Sequence, residues 1–166
     1  MDKKIAIYAG SFDPITKGHL DIIKRSSKLF DKIIVGVLNN SHKKYWFSLE
    51  EREDMIKRSL ENEKIENVEI DSFEGLLVDF MNRKKCNILI RGLRAVSDYE
   101  YELQLALTNA VLSKNNIETI FLPASRENLY LSASIVKDVA LNKGELIEFL
   151  PKVIIDDVMK KANEKR

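Results

Sequence analysis

The stretch Gly10-Ser-Phe-Asp-Pro-Ile-Thr-Lys-Gly-His19 has the residue types and spacing to hold an anion. Gly10 lets backbone come close to a ligand, and Ser11 adds a hydroxyl and a backbone N–H. Gly18 and His19 fall at the start of a helix, where unpaired N–H groups and the helix dipole favour negative charge. His19 either faces a bound phosphate or simply caps the first turn, and spacing alone leaves both open. A second stretch, Asn39-Asn-Ser-His-Lys-Lys-Tyr-Trp46, brings a lysine pair to the end of a buried strand. Lys43 can meet a phosphate there or remain solvated. His42 reads as a surface residue and Trp46 as packing beneath the loop. A third, Ile90-Arg-Gly-Leu-Arg94, places two permanently charged guanidinium groups at a strand end, with Gly92 and Leu93 turning the chain between them. Bidentate phosphate recognition suits them, and so do salt bridges to Asp98, Glu100 or Glu102.

Those stretches share a rim only if the elements between them form a parallel sheet, and the chain alternates strand-like and helical runs as such a sheet requires. Lys4 to Ala9 reads as a first strand, followed by a helix from about Gly18 to Leu29 carrying Leu20 and Ile23 at helical spacing. The nearly all-apolar Lys32 to Leu38 is a second strand covered on both faces. Ser48 and Glu51 form a capping-box pattern that opens a helix through Leu60. Val68 to Asp71, Asn87 to Ile90 and Thr119 to Leu122 read as three further strands. Helices are expected from Gly75 to Lys84 and from Asp98 to Ser113, the latter with Leu103, Ala106, Leu107, Ala110 and Val111 on one face. Ser134 is placed as cap of a helix from Ile135 to Asn142 with its stop at Gly144. Pro151 precedes a last helix, from about residue 152 to Ala162, and Asn163 to Arg166 form a frayed tail. The expectation is an α/β fold, a Rossmann-like doubly wound parallel sheet of about five strands, in one domain spanning 1–166. Ligands in such sheets sit beyond the carboxyl ends of the strands, near the switch in strand order.

The bulk numbers exclude several classes. The 166 residues suffice for one domain, and 45% apolar with 32% charged residues is an ordinary globular composition. Lys+Arg 27 against Asp+Glu 26 leaves a net charge of +1, which argues against a nucleic-acid or membrane-surface binder. The single cysteine, Cys86, excludes an intrachain disulfide and reads as a small buried thiol. Met1 to Lys4 lead straight into a strand without the pattern of a signal peptide, and no apolar run approaches the ~20 residues that cross a bilayer, so a cytoplasmic location is expected. There is no GxxxxGK[ST], no GxGxxG, and no paired carboxylates or Ser/His/Asp set on the rim. A site of this kind holds polyphosphate without a covalent intermediate.

At this point the motifs resemble those of a known family. Thr16-Lys-Gly-His19 is similar to the (H/T)xGH signature of the nucleotidylyltransferases, and Arg91 to Ala106 resembles the bacterial phosphopantetheine adenylyltransferases within them. Leu131-Ser-Ala-Ser-Ile-Val-Lys137 is similar to that family's serine-rich helix start, and the likeness runs from about Ile5 to Pro151. The resemblance implies adenylyl transfer from ATP to 4′-phosphopantetheine, giving dephospho-coenzyme A and pyrophosphate, with Mg²⁺ held mainly through the ATP phosphates and a homohexameric assembly. It implies that Ser11, Phe12, His19, Gly92, Leu93, Arg94 and Glu102 bind ATP, together with Asn128, Leu129, Tyr130, Leu131, Ser132, Ala133 and Ser134. Ser11, Lys43, Leu77 and Arg91 would hold the acceptor, and His19, Lys43 and Arg91 would act on the reacting phosphates. Ala133 departs from the family pattern, in which a serine is usual.

The implied chemistry is physically consistent. A phosphate monoester is largely dianionic at pH 7, since its second pKa is about 6, so attack on the α-phosphorus needs no general base. Thr16 in place of a first histidine and the Arg91–Arg94 block count against nicotinate-mononucleotide or polyol-phosphate acceptors. The acceptor-side Lys43, Leu77 and Arg91 count against a non-catalytic nucleotide sensor.

Overall fold

In a computed structural model the described residues are 3–165, apart from the side chains of Val96 and Ser97. Met1 and Asp2 of the lead-in and Arg166 of the tail lie outside them. The chain runs β1 (Ile5–Gly10), α1 (Lys17–Ser26), β2 (Lys32–Leu38), α2 (Leu49–Asn62), β3 (Val68–Phe73), α3 (Leu77–Arg83), β4 (Ile88–Leu93), α4 (Val96–Leu112) and β5 (Glu118–Pro123). A 3₁₀ turn (Arg126–Asn128), α5 (Ala133–Leu141), a second 3₁₀ turn (Lys152–Ile154) and α6 (Ile155–Lys165) complete it.

All registered strand pairs are parallel, and the order is β3-β2-β1-β4-β5. The chain builds outward from β1 to β3, then crosses back to lay β4 on the other side of β1. That reversal is the switch point of a doubly wound sheet. The register shows how it opens. β1 stays paired with β2 as far as Gly10, and β4 stays paired with β5 as far as Leu93. Between β1 and β4 the pairing stops at Tyr8 and Ile90. Beyond that pair the two halves of the sheet part company, and a gap forms at their carboxyl ends.

The alternation of side chains along each strand divides the core in two. Ala6 and Tyr8 join a large cluster with Ile23, Ile56, Val136 and Val158, contributed by α1, α2, α5 and α6, and with Leu150 from the segment before α6. Ile7 and Ala9 face the opposite way, onto Phe80, Met81 and Leu89. Each fully buried aliphatic or aromatic side chain stabilises the fold by roughly 1.5–3 kcal/mol relative to exposure, so both layers hold the strand ends rigidly. Cys86 is buried in the second cluster, and burial pushes its thiol up, away from reactivity. No helix among the described residues is long and apolar enough to cross a membrane.

Several expectations are corrected. β4 does not end at Ile90, since Arg91, Gly92 and Leu93 pair with Phe121, Leu122 and Pro123. Gly92 and Leu93 therefore extend the strand and do not turn the chain. Gly92 lies close against α1, where a Cβ would meet the Ile22 side chain at 3.3 Å. Ser132, not Ser134, caps α5, its side chain accepting from the amide of Ile135. The left-handed residue after α5 is Lys143 (φ 59°), not Gly144. Asn163 to Lys165 belong to α6 and are not a frayed tail. The apolar face expected on α4 is not buried in the core. No described side chain of α4 is buried, and Leu107 and Val111 are 59% and 74% exposed.

Candidate active site

Two clefts flank the gap between β1 and β4. The first, of about 280 Å³, is walled by the loop after β1, the start of α1, the end of β4 and the start of α5. The second, of about 430 Å³, lies between the loops after β1 and β2, the start of α3 and the inner side of α4. Ala9, Gly10 and Arg91 line both. Groups bound in the two clefts would meet at the end of β1.

The loop after β1 is strained and well supported. Phe12 sits in the left-handed region (φ 49°), a conformation that costs a bulky residue about 1–3 kcal/mol. Its ring is 2% exposed and makes edge contacts with Tyr8 (5.5 Å) and His19 (5.1 Å), which compensate. Thr16 caps α1. Its hydroxyl accepts from the amide of His19 at 3.3 Å, and its own amide donates to Nδ1 of His19 at 3.0 Å. The capping reading of His19 and the cleft-facing one are thus both realised, since the same imidazole lines the first cleft. A ring that accepts at Nδ1 carries its proton at Nε2 when neutral. Burial, then the charges of Arg94 and Arg91, lower its pKa to about 4, so it is neutral near pH 7. Burial also raises the phenol of Tyr8 well above its ordinary value against the opposing charge of Arg91, which leaves a neutral hydroxyl in the same wall.

Of the arginine partners left open by the sequence, the structure shows the salt bridges, to Glu102 and to Asp98. Arg91 grips Glu102 with two bonds, Nε to Oε2 at 2.7 Å and Nη2 to Oε1 at 2.8 Å, while Nη1 donates to the carbonyl of Ala9 at 2.9 Å. The last bond bridges β1 and β4 where their ladder has stopped. Arg94 meets Asp98 at 3.3 Å and donates to the carbonyl of Leu131 at 2.8 Å, tying the end of β4 to the start of α5. Arg94 is more exposed than Arg91, with side-chain exposures of 44% and 25%.

The residues singled out in the sequence distribute unevenly. Phe12, His19, Arg91, Gly92, Arg94, Asn128, Leu131, Ser132 and Ala133 line the first cleft. Ser11, Lys43, Leu77, Arg91 and Glu102 line the second. Leu93, Leu129, Tyr130 and Ser134 line neither. Leu93 pairs with Pro123, Leu129 and Tyr130 are about half exposed, and Ser134 lies in the first turn of α5. Trp46 packs partly buried against the core, and His42 is exposed.

Sequence reasoning missed two buried charged groups behind the loops. Asp13 accepts from the amides of Trp46 (3.0 Å) and Phe47 (3.0 Å) and pairs with Lys137, joining the loops after β1 and β2 to α5. Arg52 is fully buried beneath the same two loops. A signal for it existed: Arg52, Met55, Ile56, Ser59 and Leu60 form the buried stripe of α2, so the arginine is in phase with the apolar face.

No wall residue of the first cleft is a carboxylate, and among the described residues no group of three or more His, Cys, Asp or Glu could hold a metal. A lining of donors without a carboxylate suits an anion.

Comparison with known proteins places the chain. The family model described as cytidylyltransferase-like matches residues 7–139. The phosphopantetheine adenylyltransferase of Clostridium tetani is 52% identical over 161 residues, covering 97% of this chain and 99% of the relative. That of Clostridium botulinum strain 657 is 52% identical over 163 residues, 98% of each. Among solved structures, a nicotinic acid mononucleotide adenylyltransferase of Plasmodium falciparum superposes with a TM-score of 0.72 at 17% identity, over 96% of each chain. A putative nicotinate-nucleotide adenylyltransferase of Vibrio parahaemolyticus gives 0.68 at 13% identity, again over 96% of each. At those identities the structural likeness speaks for the fold alone.

Proposed function

The chain belongs to the phosphopantetheine adenylyltransferases, within the cytidylyltransferase-like family, and we propose that it transfers the adenylyl group of ATP to 4′-phosphopantetheine, giving dephospho-coenzyme A and pyrophosphate in coenzyme A biosynthesis. A phosphate oxygen of the acceptor attacks the α-phosphorus in line, a new phosphoanhydride bond forms, and the bond to the β-phosphate breaks as pyrophosphate leaves. No covalent enzyme intermediate is involved.

The observation that carries this reading is the meeting of two clefts at Ala9, Gly10 and Arg91, where β1 and β4 separate. ATP belongs in the first cleft. His19 would donate Nε2–H to the triphosphate, Arg94 would neutralise it, and the amides at the start of α5 would receive it as helix N-termini receive anions. The acceptor belongs in the second, with Lys43 and Arg91 on its phosphate and Leu77 on its apolar arm. Ser11 and Phe12 lie between the two substrates. Mg²⁺ rides on the phosphates and neutralises charge on the leaving oxygens. The positioned cations and dipoles do the work, because the nucleophile is already ionised.

Residues 1–166 then form a single nucleotidylyltransferase domain with its C-terminal helical segment from about residue 152. The exposed apolar face of α4 is the natural contact of a homohexamer.

The experiment is pyrophosphate release with ATP and Mg²⁺, with 4′-phosphopantetheine and nicotinate mononucleotide as alternative acceptors, and identification of dephospho-coenzyme A by mass. Turnover with phosphopantetheine alone is the expected result. Turnover with neither acceptor would overturn the proposal.

A further inference from the structure

Arg52 is 0% exposed, and its guanidinium contacts only neutral groups. Nη1 donates to the carbonyls of Ser11 (2.8 Å) and Leu38 (2.9 Å), Nη2 donates to Oδ1 of Asn39 (2.9 Å), and the ring of Tyr45 lies 4.0 Å below. Its Nε has no hydrogen-bond partner. Among the described residues no carboxylate forms an ion pair with it, and fully exposed Glu50 feels its charge only as the weakest of several influences. A buried cation without a counter-charge is costly, and such groups are ordinarily paired. A neutral amide could have crosslinked two carbonyls at less cost.

The placement of the charge suggests what offsets that cost. Ser11 and Leu38, whose carbonyls it holds, both line the second cleft, as does Lys43 at the mouth of the same loop. Because a peptide unit is planar and trans, fixing the Ser11 carbonyl on Arg52 turns the N–H of Phe12 to the opposite side of the loop. That is the residue held at positive φ between the two clefts. We propose that Arg52 is a positioning residue for the anionic acceptor: it sets the loops after β1 and β2 in register from behind, and its uncompensated charge raises the potential where the acceptor's phosphate binds.

This inference rests on the function proposed above, and its test separates the two. Arg52→Gln removes the charge but keeps a donor, and Arg52→Lys keeps the charge but loses the planar fork. For wild type and both variants, the measurements are KM for ATP, KM for 4′-phosphopantetheine, the inhibition constant of pantetheine lacking the phosphate, and the melting temperature. In Arg52→Gln the phosphopantetheine KM should rise about tenfold or more, as loss of one partly buried charge interaction does, while pantetheine and ATP change by less than about threefold. Arg52→Lys should keep the wild-type preference for the phosphorylated compound. Equal weakening of phosphopantetheine and pantetheine would make Arg52 a clamp only and overturn the electrostatic role, as would unchanged constants in a folded Arg52→Gln protein. Should that protein not fold, loss of the phosphate preference in Arg52→Lys would overturn it instead. A wild-type enzyme that makes no dephospho-coenzyme A is a different failure, that of the proposed reaction.

Discussion

The backbone amide of Thr16 donates to Nδ1 of His19 at 3.0 Å, while the hydroxyl of Thr16 accepts the amide of His19 in return. The reciprocal pair is a capping box with histidine in the place usually taken by Glu or Gln. It joins two properties that are otherwise independent, the start of α1 and the tautomer of the imidazole. With Nδ1 engaged by a backbone donor that cannot rotate away, the neutral ring must present Nε2–H to the first cleft.

The folded-state pKa of His19, about 4, lies below its ordinary value near 6.5. The unfolded chain therefore binds more protons between those values, and folding stability from this group is complete above pH 6.5 and is lost as pH falls toward 4. Thermal melts at pH 7.5 and pH 5 should show a larger drop for wild type than for His19→Gln. Without ATP, the ring signals of His19 in NMR should stay flat from pH 8 to pH 5. A midpoint near 6.5 would mean that the ring is neither buried nor under the charges of Arg94 and Arg91 in solution.

His19→Gln also tests the chemistry, because glutamine at that position preserves the capping box while replacing the imidazole. The fold should survive. Loss of a donor aimed at developing charge should lower kcat by about 10²–10³-fold with little change in ATP affinity. Added imidazole should not restore activity, since the acceptor phosphate has no proton to give up. Strong rescue would make His19 a proton carrier.

Arg91 and Arg94 should separate cleanly. Arg91→Ala strands Glu102, whose side chain is only 12% exposed, so it should lower the melting temperature as well as raise the KM for phosphopantetheine. Arg94→Ala should raise the KM for ATP and leave the melting temperature nearly unchanged. Loss of a charge-assisted contact costs about 1.5–3 kcal/mol, roughly ten- to a hundredfold. The double variant Arg91→Ala/Glu102→Gln should regain stability and not binding. Identical kinetic effects of the two single changes on both substrates would refute the division.

Where the sequence was readable, one physical signal dominated. β2 stands where its apolar run places it, and the Ser48–Glu51 capping box opens α2 as its spacing requires. The motif residues on the rim were legible for the same reason, since each follows a strand whose apolar run is unambiguous. Failures arose where two signals competed or where tertiary partners decided. Arg91-Gly92-Leu93 carries the charge and glycine of a loop, yet β5 supplies a ladder for it. Ser132 and Ser134 are equally good caps in composition, and only the backbone selects the first. Gly144 looked like a helix stop, but lysines take the left-handed position after the cap of four helices, at Lys64, Lys85, Lys114 and Lys143. Arg52 was hidden by its neighbours Glu50, Glu51 and Glu53, which give that turn of α2 the look of a solvated face.

Ala133 occupies the first position of α5, directly after the Ser132 cap, and lines the first cleft. The amides of that turn remain whatever the side chain, so Ala133→Ser should change the KM for ATP by less than about threefold. Ser132→Ala should do more. It removes the acceptor for the Ile135 amide, which typically costs about 1 kcal/mol of helix stability, and loosens the turn at the wall of the first cleft where we propose that ATP binds. ATP titrations and thermal melts of both variants check this. A larger effect at Ala133 than at Ser132 would show that side-chain hydroxyls, not amides, decide nucleotide binding there.

α4 presents one face to solvent and the other to the second cleft. Leu107 and Val111 stand one turn apart on its outer side at 59% and 74% exposure, with Leu112 at 49%. Covering such side chains contributes roughly 1.5–3 kcal/mol each at full burial, enough for a cluster of them to favour association. The other side of the helix carries Glu102, Leu105, Ala106 and Asn109 into the second cleft, yet no described side chain of α4 is buried in the single chain. A helix held so lightly needs bracing from outside. Sedimentation at micromolar concentration should therefore give one species several-fold above the 19.1 kDa monomer. Leu107→Glu and Val111→Glu, which add charge to the exposed face without touching the cleft, should dissociate it. The dissociated protein should show a raised KM for phosphopantetheine with the KM for ATP nearly unchanged, because the first cleft owes its lining to α1, β4 and α5. A wild-type monomer would refute the assembly. Dissociated variants with wild-type kinetics would leave the assembly intact as a fact and remove α4 bracing as its purpose.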